Sequence, residues 1–494
     1  MNASSIGISA PNWNTEDYDF IAENSFVSTA DQQVSNFSLD VDRASYANLR
    51  RFISGGTLPP KDAVRIEEMI NYFDVQNSVD PEDGHPLGIG SELGMAPWNP
   101  GHHLLYLNVH APKIDLRDAP PANLVFLIDV SGSMHTQNKL PLLISSFGLL
   151  VDQLRAEDKL SIVTYAGKSA VVLEGQSGDS KIEIRNAVST LTAGGSTAGA
   201  EGINSAYDLA MNYFIDGGNN RVILATDGDF NVGASSDGEL VRLIEEKRKT
   251  GVFLSVLGFG AGNYKDNKMQ KLADAGNGNH NYIDGITEAK KVFVNEFGGT
   301  LFTVAKDVKL QVEFNPAQVV GYRLIGYENR MLANSDFSND RKDAGEVGMG
   351  HQVTALYEVI PVGVESDWLS TVEKRYDHPT NATNHKLSSE LCIVKLRYKS
   401  PEEDSSKFFE KVIGSKVNRM RRSVDFRWSA AVAGFGMILR DSEFKNGLQV
   451  QSVIELAKSS IGGDRYGYRT EFLFLLEEYQ RIIGLEVDDH AEVK

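Results

Sequence analysis

The chain has 494 residues, 41 % of them hydrophobic, and its 49 Lys and Arg stand against 67 Asp and Glu for a net charge of −18. At about 150 residues per domain this length implies three or four domains, and the acidity argues against nucleic acid or an anionic membrane face as the main partner. Cys392 is the single cysteine, so neither an intramolecular disulfide nor a zinc site built on several thiolates can form.

The start, Met1-Asn-Ala-Ser-Ser-Ile-Gly7, has no basic n-region and no apolar h-region, so no secretion signal is expected. The first dozen residues are mostly small and polar and read as the stump of a trimmed leader or linker. No run reaches about 18 apolar residues, so no transmembrane segment is expected. Amphipathic spacing predicts a helix from Arg43 to Ile53 with Asp42 as its cap. A second helix follows the start signal Pro59-Pro60 and runs through Val64, Ile66, Met69 and Ile70. His103-Leu-Leu-Tyr-Leu-Asn-Val109 then reads as a strand with partial alternation.

Leu124-Val-Phe-Leu-Ile128 is apolar without alternation, which suits a parallel strand covered on both faces. It ends in Asp129-Val-Ser131-Gly-Ser133, three oxygen-bearing side chains at the carboxyl end, where open α/β sheets place their ligands. Leu143, Phe147, Leu150, Val151 and Leu154 recur at helical spacing, and Leu160 to Tyr165 is a strand. Helices are expected over Ile182–Val188 and Ile203–Phe214, the second preceded by Gly194-Gly-Ser-Thr197-Ala-Gly199. Strand Arg221–Thr226 leads into Asp227-Gly-Asp229, and helix Leu240–Lys249, strand Val252–Leu257, a short strand near Asn281–Ile283 and a helix near Ile286–Phe297 follow. Strands alternating with helices indicate a parallel, doubly wound sheet. Ser, Thr and Asp after a strand are also ordinary helix caps. Three such loops in order, two ending strands and one opening a helix, are instead read as one cation site.

This D-x-S-x-S…T…D set resembles the metal-ion-dependent adhesion site of von Willebrand factor type A domains. Aligning Gly202-Ile203 with the Gly-Ile that follows the family's threonine selects Thr197 over Ser196 or Thr192. The resemblance implies that Ser131, Ser133 and Thr197 bind the cation directly while Asp129 and Asp227 act mostly through water. Three hydroxyls and two carboxylates make a hard oxygen shell that suits Mg2+ first, with Mn2+ or Ca2+ as alternatives. The resemblance further implies that a Glu or Asp carboxylate from a partner protein takes the vacant coordination position. Asp229 either hydrogen-bonds a metal-bound water or fixes the tight turn with Gly228, and both readings stand. Met134, His135, Phe230 and Asn231 lie beside the site in sequence and are expected to form a docking rim, although a histidine placed like His135 is more often a solvated loop residue. Asp129→Ala is expected to lose metal and partner while the fold survives, as for a surface-loop change.

Outside this unit, Val308–Phe314, Val353–Val359 and Cys392–Tyr398 read as strands that, with His103–Val109, form an antiparallel β-sandwich drawn from both sides of the inserted α/β unit. Phe426–Phe435 and Glu471–Ile482 read as closing helices. The expected organisation is a helical region over 1–80, the first part of the sandwich over 81–121, the Rossmann-like von Willebrand A unit over 122–300, the rest of the sandwich over 301–400, and a helical region over 401–494. Phe37–Asn48, Leu58–Glu67, Ile70–Phe73, Asp343–Gly348 followed by His351–Glu358, Asp425–Trp428 and Tyr466–Arg469 resemble segments of a group of bacterial von Willebrand A proteins. That group consists commonly of envelope lipoproteins, many labelled calcium-activated chloride channel homologues. The label does not suit a sequence with no membrane span. The resemblance implies a cell-envelope location, periplasmic or surface, with a lipid anchor if the native chain begins upstream of Met1; a cytoplasmic location stays open because no leader is present.

Enzyme readings fail on context. Asp40-Val-Asp42 has the paired aspartates of a phosphatase but precedes a helix rather than ending a strand. Gly167-Lys168-Ser169 lacks the first glycine of a phosphate loop, since Ile162 stands there, and reads as a hairpin turn. Ser196 is not in a nucleophile elbow, and the ten histidines include no His-Glu-x-x-His. The expected function is therefore a non-enzymatic, metal-dependent protein-binding module. The alternative is a scaffold or assembly factor whose flanking regions bind partners and whose metal site is structural.

Overall fold

The computed structural model describes residues 16–113, 119–195, 199–228, 237–262, 264–296, 299, 302–340, 344–369, 389–401, 403, 405–417 and 422–491. They form two compact units: one runs over Pro121–Val294 and takes in residues 16–19, the other joins Phe20–Pro120 to the chain after Asn295. The second unit is thus split in sequence by the first. It begins with β1 (Val27–Ser28), β2 (Val34–Ser38), α1 (Ala44–Ser54), α2 (Ile66–Asn71), β3 (Gly88–Ala96) and β4 (Asn99–His110). Asp42 does not cap α1: Arg43 occupies that position without a side-chain cap, and the Asp42 carboxylate instead pairs with Arg330 at 3.0 Å. An ion pair to a distant guanidinium has displaced the local cap.

The unit over Pro121–Val294 alternates strand and helix: β5 (Ala122–Asp129), α3 (Leu140–Gln153), β6 (Lys159–Ala166), β7 (Lys168–Ser177), α4 (Lys181–Ser189), α5 (Gly199–Asn212), β8 (Asn219–Thr226), α6 (Asp237–Lys247), β9 (Val252–Phe259), α7 (Asp266–Ala275), β10 (His280–Ile283) and α8 (Ile286–Lys290). The sheet order is β10-β9-β8-β5-β6-β7, with the first five parallel and β7 antiparallel at the edge. Every residue of β5 is buried, which explains its unbroken apolar run. Gly167 lies between β6 and β7 at φ 76°, so Gly167-Lys168-Ser169 is a hairpin turn and not a phosphate loop.

After Asn295 the second unit continues with β11 (Thr303–Phe314), β12 (Val319–Ile325), β13 (Gly345–Gly348), β14 (Gln352–Pro361), β15 (Glu390–Lys399), β16 (Ser406–Gly414), α9 (Val424–Arg440), α10 (Val450–Lys458) and α11 (Tyr468–Ala491). Two antiparallel sheets, β1-β12-β14-β4-β3 and β13-β11-β15-β16 with β2 beside β11, enclose one core. That core takes Leu105, Leu107, Leu324 and Tyr357 from the first sheet and Leu310, Val312, Val394 and Leu396 from the second. The first sheet also buries its opposite face, where Leu104, Tyr106, Ile325 and Leu356 pack with α1, α2, α9, α10 and α11. This arrangement is a β-sandwich with a helical third layer. A sheet covered on both sides has no reason to alternate, hence the blurred pattern of His103–Val109. The stretches expected to be wholly helical also contribute β1, β2 and β16 to these sheets.

The Asp425 carboxylate ties the two ends of this unit together. It accepts from the backbone N–H of Gln76 and of Asn77, each at 3.0 Å, and pairs with Arg469 at 3.1 Å. Arg469 lies over the Trp428 ring at 4.9 Å and donates to the carbonyl of Asp74. Asp425→Ala would strand a buried guanidinium and two amides, and removal of one partner of such a pair costs about 3 kcal/mol or more. A urea unfolding curve should move by that amount, and an unchanged midpoint would show the network to be incidental.

Glu67 is buried beside Glu328, which Arg440 pairs at 2.8 Å, and Glu67 Oε2 has no hydrogen-bond partner among the described residues. Burial, with the Glu328 charge in second place, pushes the Glu67 carboxyl above its ordinary 4.5. The folded state therefore binds this proton more tightly than the unfolded one, so its stabilising contribution is complete below pH 4.5 and is lost as pH rises through the folded value. Relative to wild type, Glu67→Gln should gain in melting temperature across that interval and hold the gain toward neutrality. A pH-independent difference would contradict this.

Candidate metal centre

Strand β5 passes to β6 on one side, and the chain later returns to β8 on the other. The carboxyl ends of β5 and β8 therefore flank the point where strand order reverses, the place where open α/β sheets leave a crevice. Ile128 pairs with Ala225, so Asp129 falls opposite Thr226 and Asp227 stands one residue beyond. Asp129 and Asp227 are both fully buried, Ser131 is nearly so, and Ser133 is exposed. The oxygen-bearing groups thus run from a buried carboxylate floor to a solvent-facing hydroxyl.

Asp129 is held from three directions. Its Oδ1 accepts from the Ser131 N–H at 2.8 Å, and its Oδ2 accepts from the Tyr165 hydroxyl at 3.1 Å and the Thr226 hydroxyl at 3.2 Å. With these acceptor sites engaged by protein donors, the carboxylate is disposed to act on a cation through other groups rather than as a bare ligand. Burial pushes the Asp129 carboxyl above its ordinary value, opposed by the Ser131 and Tyr165 bonds and reinforced by the Asp227 charge. Two negative groups in one buried place need positive charge, and the Lys139 ammonium beside Asp227 supplies one unit of it. The Ser131 and Ser133 hydroxyls are 3.0 Å apart.

Two backbone bonds bring the third loop to the first. Gly194 N–H donates to the Val130 carbonyl at 2.7 Å, and Gly132 N–H donates to the Gly195 carbonyl at 3.2 Å. Helix α5 then packs closely, because Gly202 leaves room where a Cβ would lie 3.1 Å from both Tyr165 Cβ and Leu127 Cδ1. Thr197, Asp229, Phe230 and Asn231 lie outside the described residues. The turn after β8 is made by the Thr226 hydroxyl, which accepts from Gly228 N–H at 3.2 Å.

Lys139 is part of the site and was not anticipated from sequence. Its Nζ is 2.8 Å from Asp227 Oδ2, and both side chains are buried. Its stem passes over Gly260, φ 84°, where an added Cβ would meet Lys139 Cε at 2.2 Å. Tyr165 and Thr226 were missed as well, although each is a hydroxyl ending an apolar strand in register with Asp129. Met134 is a correction: it is fully buried and forms no exposed rim, whereas His135 is exposed. Asp129 is likewise not a surface-loop residue. Among the described residues no three His, Cys, Asp or Glu side chains gather as a metal centre. The donor set that does assemble, Ser131 and Ser133 hydroxyls with two carboxylates behind them, is hard oxygen and fits a divalent cation of the Mg2+ type.

The von Willebrand factor type A domain family matches residues 123–293, a family described as von Willebrand factor matches 12–106, and one described as the C-terminal part of the uncharacterized protein YfbK matches 299–482. The YfbK protein of Escherichia coli (strain K12) is 43 % identical over 469 residues, covering 94 % of this chain and 81 % of that one. The chain belongs to the YfbK family of von Willebrand factor type A domain proteins. An uncharacterized Synechocystis protein is 25 % identical over 296 residues, covering 58 % of the YfbK-family chain and 68 % of its own length. A von Willebrand factor type A structure from Catenulispora acidiphila shares 15 % identity over 78 % of this chain and 89 % of its own, with a TM-score of 0.43. Among the described residues no helix is long and apolar enough to cross a membrane.

Because Asp129 is buried, its substitutions should be felt by the fold. Asp129→Ala leaves three donors without an acceptor and should cost about 3 kcal/mol, while Tyr165→Phe removes one neutral donor and should cost about 1 kcal/mol. Chemical denaturation in EDTA measures both. Equal costs would mean that the Tyr165 bond is not a separate support of the carboxylate.

Proposed function

We propose that the chain is a non-enzymatic, metal-ion-dependent protein-binding module of the bacterial cell envelope. Von Willebrand type A domains are protein-interaction domains, and the observation that carries the finer reading is the convergence of Asp129, Ser131, Ser133 and Asp227 at the strand-order reversal. The Ser131 and Ser133 hydroxyls would hold a divalent cation directly, with Thr197 as a third hydroxyl ligand from the adjoining loop. Asp129 and Asp227 would supply negative charge behind them. Bound there, the cation would polarise and orient an Asp or Glu carboxylate of a partner protein. Exposed Ser133 and His135 would lie at the docking face. The envelope assignment rests on the resemblance of the flanking segments to envelope lipoproteins.

The test is a quantitative pull-down from envelope extract. Wild type in Mg2+, wild type in EDTA and Asp129→Asn in Mg2+ are compared, the amide being chosen because it preserves the side chain's shape. A protein retained only by the first sample is the expected result. A protein retained equally by all three would move binding to the flanking regions and favour the scaffold alternative.

A further inference from the structure

The Lys139–Asp227 pair assigns the cation site a built-in competitor. Asp129 and Asp227 bring two negative charges to the carboxyl edge of β5 and β8, and Lys139 brings one positive charge against Asp227 Oδ2 at 2.8 Å. The lysine is not a loose surface side chain. It stands at the start of α3, its backbone N–H donates to the Thr136 carbonyl, and its carbonyl accepts from Leu143 N–H. Its methylenes fill the space left open by Gly260, and the Gly260 carbonyl is itself held by the Tyr282 hydroxyl. The ammonium is therefore delivered to Asp227 by a hydrogen-bonded backbone and a stem that lies over Gly260.

We propose that Lys139 is a resident counter-ion that holds Asp227 in place and keeps the site's intrinsic affinity for a divalent cation low. This rests on the cation-site reading proposed for Ser131 and Ser133. With Lys139 present and both carboxyls ionised, the charges of Asp129, Asp227 and Lys139 sum to minus one, so a divalent cation leaves one positive charge for a single incoming carboxylate to neutralise. Without Lys139 the same cation would already be neutralised by the protein. A fixed ammonium within a few ångströms of a divalent cation is repulsive, and in a partly buried site such a repulsion is worth roughly tenfold or more in affinity.

Lys139→Met keeps the stem and removes the charge, Lys139→Gln keeps a hydrogen-bond donor without the charge, and Lys139→Arg keeps the charge. Mn2+ alone is the probe, titrated calorimetrically and by electron paramagnetic resonance, with melting temperatures in EDTA measured in parallel. Both neutral variants should bind Mn2+ at least about tenfold more tightly than wild type, and Lys139→Arg should bind as wild type does. In EDTA the neutral variants should melt below wild type, and Mn2+ should recover more of their melting temperature than it adds to wild type. Mn2+ affinity in the neutral variants equal to or weaker than wild type would overturn the counter-ion role while leaving the cation site standing. No binding by any form up to about 10 mM, beyond the weak end of protein sites for hard cations, would overturn the cation site and this inference together. A Lys139→Met chain that fails to fold leaves Lys139→Gln to decide.

Discussion

Two carboxylates buried side by side at the end of a parallel sheet are the constraint around which this chain's central unit is organised. Burying an ionised carboxylate is expensive unless it is hydrogen-bonded and paired. Asp129 and Asp227 are both fully buried, and the surroundings supply what they need in distinct ways. Asp129 receives one amide and two hydroxyls, from Ser131, Tyr165 and Thr226. Asp227 receives an ammonium, from Lys139. Strand register explains much of this: the residues flanking β5 present hydroxyls at its level because β6 and β8 end where it does. The parallel sheet thus positions the site as well as burying the core.

Beyond that floor, the oxygen-bearing groups become accessible toward the solvent. Ser131 is nearly buried and Ser133 exposed, their hydroxyls in contact. The gradient suits a cation that must meet both a fixed negative floor and an incoming group from another molecule. A purely structural centre would close over its metal, as tetrahedral zinc sites do. The second unit follows a different logic, with a sheet buried on both faces between a second sheet and a helical layer. Its polar ties, such as Asp425 with the amides of Gln76 and Asn77, join chain segments 349 and 348 residues apart.

How much of this was legible in the sequence depended on whether the signal was local. The run Leu124–Ile128 announced a doubly covered strand, and the D-x-S-x-S and Asp loops end strands that lie side by side. Asp129 accepts from the Ser131 N–H, the Ser131 and Ser133 hydroxyls touch, and Asp227 stands at the neighbouring strand end. Lys139 was not legible because its role depends on Gly260, a glycine 121 residues downstream whose missing Cβ makes room for it. Met134 misled in the opposite sense: within a short polar loop it reads as exposed, yet it turns inward and is wholly buried. The Asp42 cap gave way to Arg330 for a similar reason, since a distant guanidinium offers more than a local amide. Strands in the sandwich were hard to delimit where both faces are covered and alternation carries no information.

The proposed cation site at the carboxyl edge of β5 and β8 would hold a divalent ion through hydroxyl oxygens. The most direct measurement is a crystal of the full chain grown with Mn2+, examined for anomalous scattering. The expected result is one strong peak within bonding distance, about 2.2 Å, of the Ser131 and Ser133 hydroxyl oxygens, with Asp129 behind it still bound to Tyr165 and Thr226. A well-ordered site with no peak there, or a peak held instead by carboxylates elsewhere on the chain, would contradict it.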